Sequence, residues 1–149
     1  MSNSLKLIAH RGNTKGPNKE QENNPYFLHK LISLGIHIEI DLWLLGDKLF
    51  LGHDEPQYEV EKSYLEYPNF WIHAKNFEAL EWLNKTKYHY FWHQNDDFTL
   101  TSKNKIWTYP DKKVTKNSII VCHTIEQLNK YKKTKAYGVC TDYIDNIKI

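Results

Sequence analysis

Nineteen of the twenty basic residues of this chain are lysine, and the one arginine, Arg11, stands in the tripeptide His10-Arg11-Gly12. Arginine's planar fork can hold two oxygens of one phosphate, which a lysine point charge cannot. Further on, Glu39 and Asp41 are separated by a single residue. On a strand their side chains leave the same face, while Ile38 and Ile40 leave the other. Two carboxylates on one inward face are costly to bury, and a hard divalent ion held by oxygen ligands would offset that cost. The pairs His53 and Asp54, His73 and Lys75, and Thr141 and Asp142 also fall where apolar runs end. Singly, each has a plain reading: a surface ion pair for Arg11, a solvated face for Glu-x-Asp, a turn for His53-Asp54, an interior histidine for His73 and a strand-end charge for Lys75. In order, at successive run ends, the set is hard to produce by chance.

The elements that would position these residues follow from the apolar pattern. Candidate strands cover 5–9, 37–42, 48–52, 70–74, 89–93, 105–109, 118–122 and 137–140. Gly46-Asp47 predicts a hairpin between the second and third. Helices are expected over 25–33, with Asn24 as N-cap, Pro25 in the first turn and Gly35 as stop, over 77–83, and over 125–131 behind Thr124. Strands alternating with helical stretches point to parallel pairing, in which ligands sit at the C-terminal ends of the strands. Periodicity does not choose between an open doubly wound sheet and a closed (β/α) barrel. Barrels run to about 250 residues, so closure in 149 residues would require several helices to be reduced to loops, with 94–110 as one such stretch.

Composition excludes several classes. At 149 residues and 17.8 kDa, one domain can bury about 70% of the surface its unfolded chain exposes. A net charge of +2 gives no field that would point to nucleic acid or an anionic membrane. Two cysteines, Cys122 and Cys140, sit in apolar runs and are expected as free thiols in a reducing, cytoplasmic compartment. The first strand begins by Leu5, leaving no room for a secretory leader, and no apolar run reaches the length of a membrane span.

With these residues assembled, the chain resembles the glycerophosphodiester phosphodiesterase family, within the phosphatidylinositol-phospholipase-C-like phosphodiesterases. The matching text is Ile8-Ala9-His10-Arg11-Gly12, Glu22-Asn23-Asn24, Gly35, Ile38-Glu39-Ile40-Asp41, Gly52-His53-Asp54 and Gly138-Val139-Cys140-Thr141-Asp142-Tyr143. The resemblance implies a compact, shortened (β/α) TIM-type barrel, a divalent metal ion (Mg, Ca or Mn) and hydrolysis of a glycerophosphodiester in lipid metabolism. It makes His10 and His53 the catalytic acid/base pair, Glu39 and Asp41 metal ligands, and Arg11 and Lys75 the groups that bind phosphate. Splitting a phosphodiester needs a base on the attacking oxygen and an acid on the leaving one. His10 is taken as base and His53 as acid.

The chain departs from the family where a carboxylate is expected two residues before Lys75, because His73 stands there. A neutral imidazole can replace it as third ligand, removing one negative charge and favouring Mn, Zn or Fe over Ca or Mg. Asp54 is the alternative third ligand. Asn23 and Asn24 belong to the family's Glu-Asn-Thr motif in altered form. His93, Gln94, Trp107 and Tyr109 fall at later strand ends, where a substrate head group would rest; Trp107 and Tyr109 are either core or rim aromatics or the wall against the leaving alcohol. Two other outcomes stay open. One is attack by a substrate hydroxyl to give a cyclic phosphate, and the other is a phosphate-binding module with weak catalysis. A small phosphodiester is the expected partner.

Overall fold

Each of the three α-helices begins where a side chain caps its first turn. The computed structural model describes residues 5–147. Strand β1 (Lys6–His10) leads to helix α1 (Pro25–Ser33), where Asn24 Oδ1 accepts the Tyr26 amide at 3.1 Å and Leu28 and Leu31 turn inward. Strands β2 (His37–Leu45) and β3 (Lys48–Leu51) form the expected hairpin through Gly46, and β4 (Tyr58–Val60) adds to its outer edge. After a 3-10 turn at Lys62–Glu66 come β5 (Phe70–Ala74) and α2 (Phe77–Leu83), capped by Asn76 Oδ1 on the Ala79 amide at 3.0 Å. Three short strands follow, β6 (Tyr90–Trp92), β7 (Phe98–Leu100) and β8 (Ile106–Thr108). Strand β9 (Ser118–Cys122), α3 (Ile125–Tyr131, capped by Thr124) and β10 (Gly138–Thr141) complete the order, with a last 3-10 turn at Ile144–Asn146.

Seven strands run parallel in the order β6-β5-β2-β1-β10-β9-β8. Strand β7 lies antiparallel on β8 and meets β6 only through scattered bonds. Thr99 Oγ1 donates to the Trp92 carbonyl and the Ser102 amide to the Tyr90 carbonyl, both at 2.8 Å. The expected shortened (β/α) TIM-type barrel is therefore corrected: the sheet is mixed, ten strands against three α-helices, and curls into a half-barrel. A (β/α) barrel needs a helix behind each parallel strand, and only β1, β5 and β9 have one. Behind β2 the chain spends its length on the β3–β4 hairpin. The stretch 94–110 forms no helical crossover and folds back as β7 and β8. No helix among the described residues is long and apolar enough to cross a membrane.

The period of two along each strand sorts the core into two sides. Ile38, Ile40 and Ile72 pack outward with Leu28 and Leu83, and Ile120 and Val139 with Leu128 and Tyr131. Ile8, Trp71, Phe91, Trp107, Val121 and Cys140 fill the inside of the curl. Two residues further along the same inner faces stand His10, His73, His93, Tyr109, His123 and Asp142. An apolar floor thus passes directly into a polar layer at the C-terminal ends of the strands.

Candidate active site

Glu39 and Asp41 face the inside of the curl, almost fully buried, on the central parallel strand β2. Each commits one oxygen to the protein. Glu39 Oε1 accepts the Arg11 amide at 3.1 Å, and Asp41 Oδ2 accepts Asn23 Nδ2 at 2.9 Å. The other oxygens turn toward His73, whose Nδ1 lies 3.0 Å from Asp41 Oδ1 and 3.8 Å from Glu39 Oε2. His73 Nε2 sits 3.0 Å from the His93 carbonyl. A carbonyl can only accept, so Nε2 carries a proton and Nδ1 is the ring nitrogen that faces the carboxylates. Asp41 Oδ1 is buried without a hydrogen-bond donor. One potential ligand atom from each of Glu39, Asp41 and His73 lies within 4.8 Å of the other two, a spacing that fits a cation. The electrostatics point the same way. Burial and the neighbouring Asp41 push Glu39 well above the usual carboxylate range. Burial acts on Asp41 too, but His53, His73 and Arg11 outweigh it and hold Asp41 well below that range. A divalent ion would offset the repulsion between the two buried carboxylates.

Around this cluster the loop after β1 is set in a strained shape. Arg11 and Asn23 both adopt left-handed backbone (φ 56° and 59°), and the Asn23 amide donates to the Arg11 carbonyl at 2.9 Å. Such conformations cost about 1–3 kcal/mol each and persist where surroundings enforce them. Here they aim the His10 and Arg11 side chains into the cavity. His10 Nδ1 donates to Asp142 Oδ1 at 3.1 Å, and Asn13 Nδ2 donates to the same oxygen at 2.9 Å. That leaves His10 Nε2 facing inward, 3.9 Å from Glu39. Arg11 Nη1 donates to Glu22 at 3.3 Å and Nη2 to His53 Nε2 at 2.9 Å. His53 Nδ1 then points at Asp41 Oδ2, 3.5 Å away.

His10, Arg11, Glu39, Asp41, His53, His73, Lys75, His93, Gln94, Trp107 and Tyr109 all line one cavity of about 310 Å³. Its floor is a stack in which Phe91 lies between His73 (5.1 Å between centroids) and Trp107 (4.5 Å). Trp107 is buried in that floor, and Tyr109, stacked on His93 at 4.6 Å, forms the wall. Two expected residues stand apart from the cavity. Asp54 is exposed and reaches only His53, at 3.7 Å, so it does not join the ligand cluster. Asn23 lies behind Asp41, which it grips twice, at side chain and amide. The sequence reading gave no role to Asp142, Asn13 or Glu22. Asp142 and Glu22 lie inside the motifs that carried the resemblance, but only the pairing of β1 with β10 brings Asp142 to His10. The thiols take no part, since both are free and buried, and burial pushes Cys122 up to about 12. Comparison with family models, curated proteins and solved structures finds no match to the chain.

Proposed function

We propose that the cavity hydrolyses a glycerophosphodiester or a related small phosphodiester with the help of a divalent ion. The observation that carries this reading is the set of three mutually facing acceptors of Glu39, Asp41 and His73 beside two histidines, an arginine and a lysine in one cavity. Glu39, Asp41 and His73 would hold the ion, which when bound supplies positive charge to the phosphoryl oxygens and acidity to a bound nucleophile. Arg11 and Lys75 bind the phosphate oxygens. His10, fixed by Asp142 with Nε2 toward the cavity, accepts the proton of the attacking oxygen. His53 Nε2 accepts from Arg11 in the structure; when Arg11 turns to the phosphate, Nε2 takes up a proton from water and delivers it to the leaving alcohol. The half-barrel leaves the cavity open to water, which suits hydrolysis. The two free buried thiols suit a reducing, cytoplasmic setting.

The experiment is a metal-screened assay on glycerophosphodiesters, lysophospholipids and cyclic nucleotides, with products identified by phosphorus NMR. The reading expects a phosphomonoester that forms only with a divalent ion present. A cyclic phosphate as end product would replace hydrolysis by internal attack. Diester binding without turnover under any ion would reduce the site to a phosphate-binding module.

A further inference from the structure

The near-neutral net charge hides a separation of charge along the sheet axis. The edge opposite the cavity is made of strand starts and helix ends, and its turns carry lysines. Lys6 begins β1, Lys87 precedes β6, Lys103 and Lys105 flank the β7–β8 turn, and Lys133 and Lys135 follow α3. Among the described residues none of the six has a carboxylate within 4.0 Å. Two carboxylates accompany them, Glu66, which accepts the Tyr88 hydroxyl, and Asp145, which lines a pocket with Lys6. Lys105 lies instead over the Tyr137 ring, 4.3 Å from its centre. His89, in the middle of this edge, is pushed down to about 4 by burial first and then by Lys103. Two large apolar side chains project among the lysines, Leu34 at the end of α1 and Leu100 on β7, each 64% exposed.

We infer that this edge of the half-barrel docks on an anionic lipid surface, the lysines meeting headgroup phosphates and Leu34 and Leu100 entering the interface. Lysine clusters of this size draw proteins to acidic leaflets without specific pairing, and partly inserted apolar side chains add to that attraction. Nucleic acid fits the edge less well. The exposed Tyr26, Phe27, Phe77 and Phe98, which could stack on bases, all belong to the opposite edge, and the one arginine is inside the cavity. Docked this way, the chain keeps its cavity turned to the water, so the surface is independent of the reaction proposed above.

The test is co-sedimentation of the full chain with vesicles of phosphatidylcholine alone and of phosphatidylcholine with about a third phosphatidylserine. Binding is expected only to the acidic vesicles, and is expected to vanish at high salt. The triple change Lys87→Glu, Lys103→Glu and Lys135→Glu should weaken it by about tenfold or more, while Lys48→Glu at the opposite edge should not. Leu34→Ser with Leu100→Ser should weaken binding without abolishing its salt dependence. Equal binding of the triple variant and the parent, no binding to either vesicle, or tighter binding to single-stranded DNA than to acidic vesicles would overturn the inference. Circular dichroism of each variant separates loss of the surface from loss of the fold.

Discussion

At the scale of single residues, the site turns on which lone pairs face each other. His73 Nε2 donates to the His93 carbonyl and so turns Nδ1 toward Asp41, a bond on the far side of the ring that orients it as a ligand. Replacing His73 with Glu adds a negative charge to the same spot, and metal preference should move about tenfold or more from Mn toward Mg or Ca. Isothermal titration with each ion reads this directly, and an unchanged preference would make His73 a packing residue. Arg11 is the second case. Its guanidinium is already forked between Glu22 and His53, so Arg11→Lys keeps the charge but loses both the fork and the grip on His53. We expect turnover to fall about a hundredfold or more with little change in melting temperature, and unimpaired kinetics would return Arg11 to a structural role. Asp142→Asn tests the third contact. The Asp142 carboxylate is buried and fixes His10 Nδ1 as donor, whereas an amide can turn its NH2 to the ring and favour the wrong tautomer. We expect kcat to drop while metal affinity stays, and a parallel loss of both would mean that Asp142 merely holds the fold.

At the scale of elements, the loop after β1 is the part under most constraint. Gly12 has φ 82°, and a Cβ there would stand 2.1 Å from Leu28 Cδ2 on α1. Gly12→Ala therefore combines a left-handed backbone with a clash against a buried leucine. It should destabilise by about 1–3 kcal/mol in urea unfolding and disturb Arg11 at the same time; a variant as stable as the parent would show that α1 yields without cost. The three helices were legible because their caps are local: Asn24, Thr124 and Gly35 announce ends within a few residues. The hairpin through Gly46-Asp47 was legible for the same reason. Strands β4 and β7 were not: on β7 the apolar Phe98 and Leu100 are the exposed residues and Thr99 the half-buried one, which inverts the pattern that marks a strand. The barrel was misjudged because alternation of strands with polar stretches reads as alternation with helices, and nothing in composition tells a crossover helix from a hairpin folded over an edge. The cavity residues were visible as strand-end polar groups. Their pairings, such as His10 with Asp142 across 132 positions, depend on which strands become neighbours.

At the scale of the whole molecule, a polar mouth and a basic base are separated by an aromatic floor. The base predicts how the fold responds to acid. His37 accepts the Trp71 indole N–H at 3.0 Å, and His89 shares a hydrogen bond with the Thr101 hydroxyl at 2.6 Å. Both titrate at about 4 in the fold against an ordinary value near 6.5. Between those values the unfolded chain binds more protons at these two sites, so their contribution to stability should fall as pH is lowered from about 6.5 and be lost by about 4. Urea unfolding across that range checks the direction, and His89→Gln should flatten the slope; a slope unchanged in that variant would assign the acid response to the carboxylates of the cavity. The central claim joins the ion to the reaction, and it is tested most directly by titrating Mn into the parent and into Asp41→Asn while following hydrolysis of a glycerophosphodiester in the same samples. The account predicts that turnover in the parent rises with occupancy of one ion and that the substitution lowers ion affinity and turnover together. Turnover that persists in Asp41→Asn, or that proceeds in the parent with the ion removed by chelation, would contradict it.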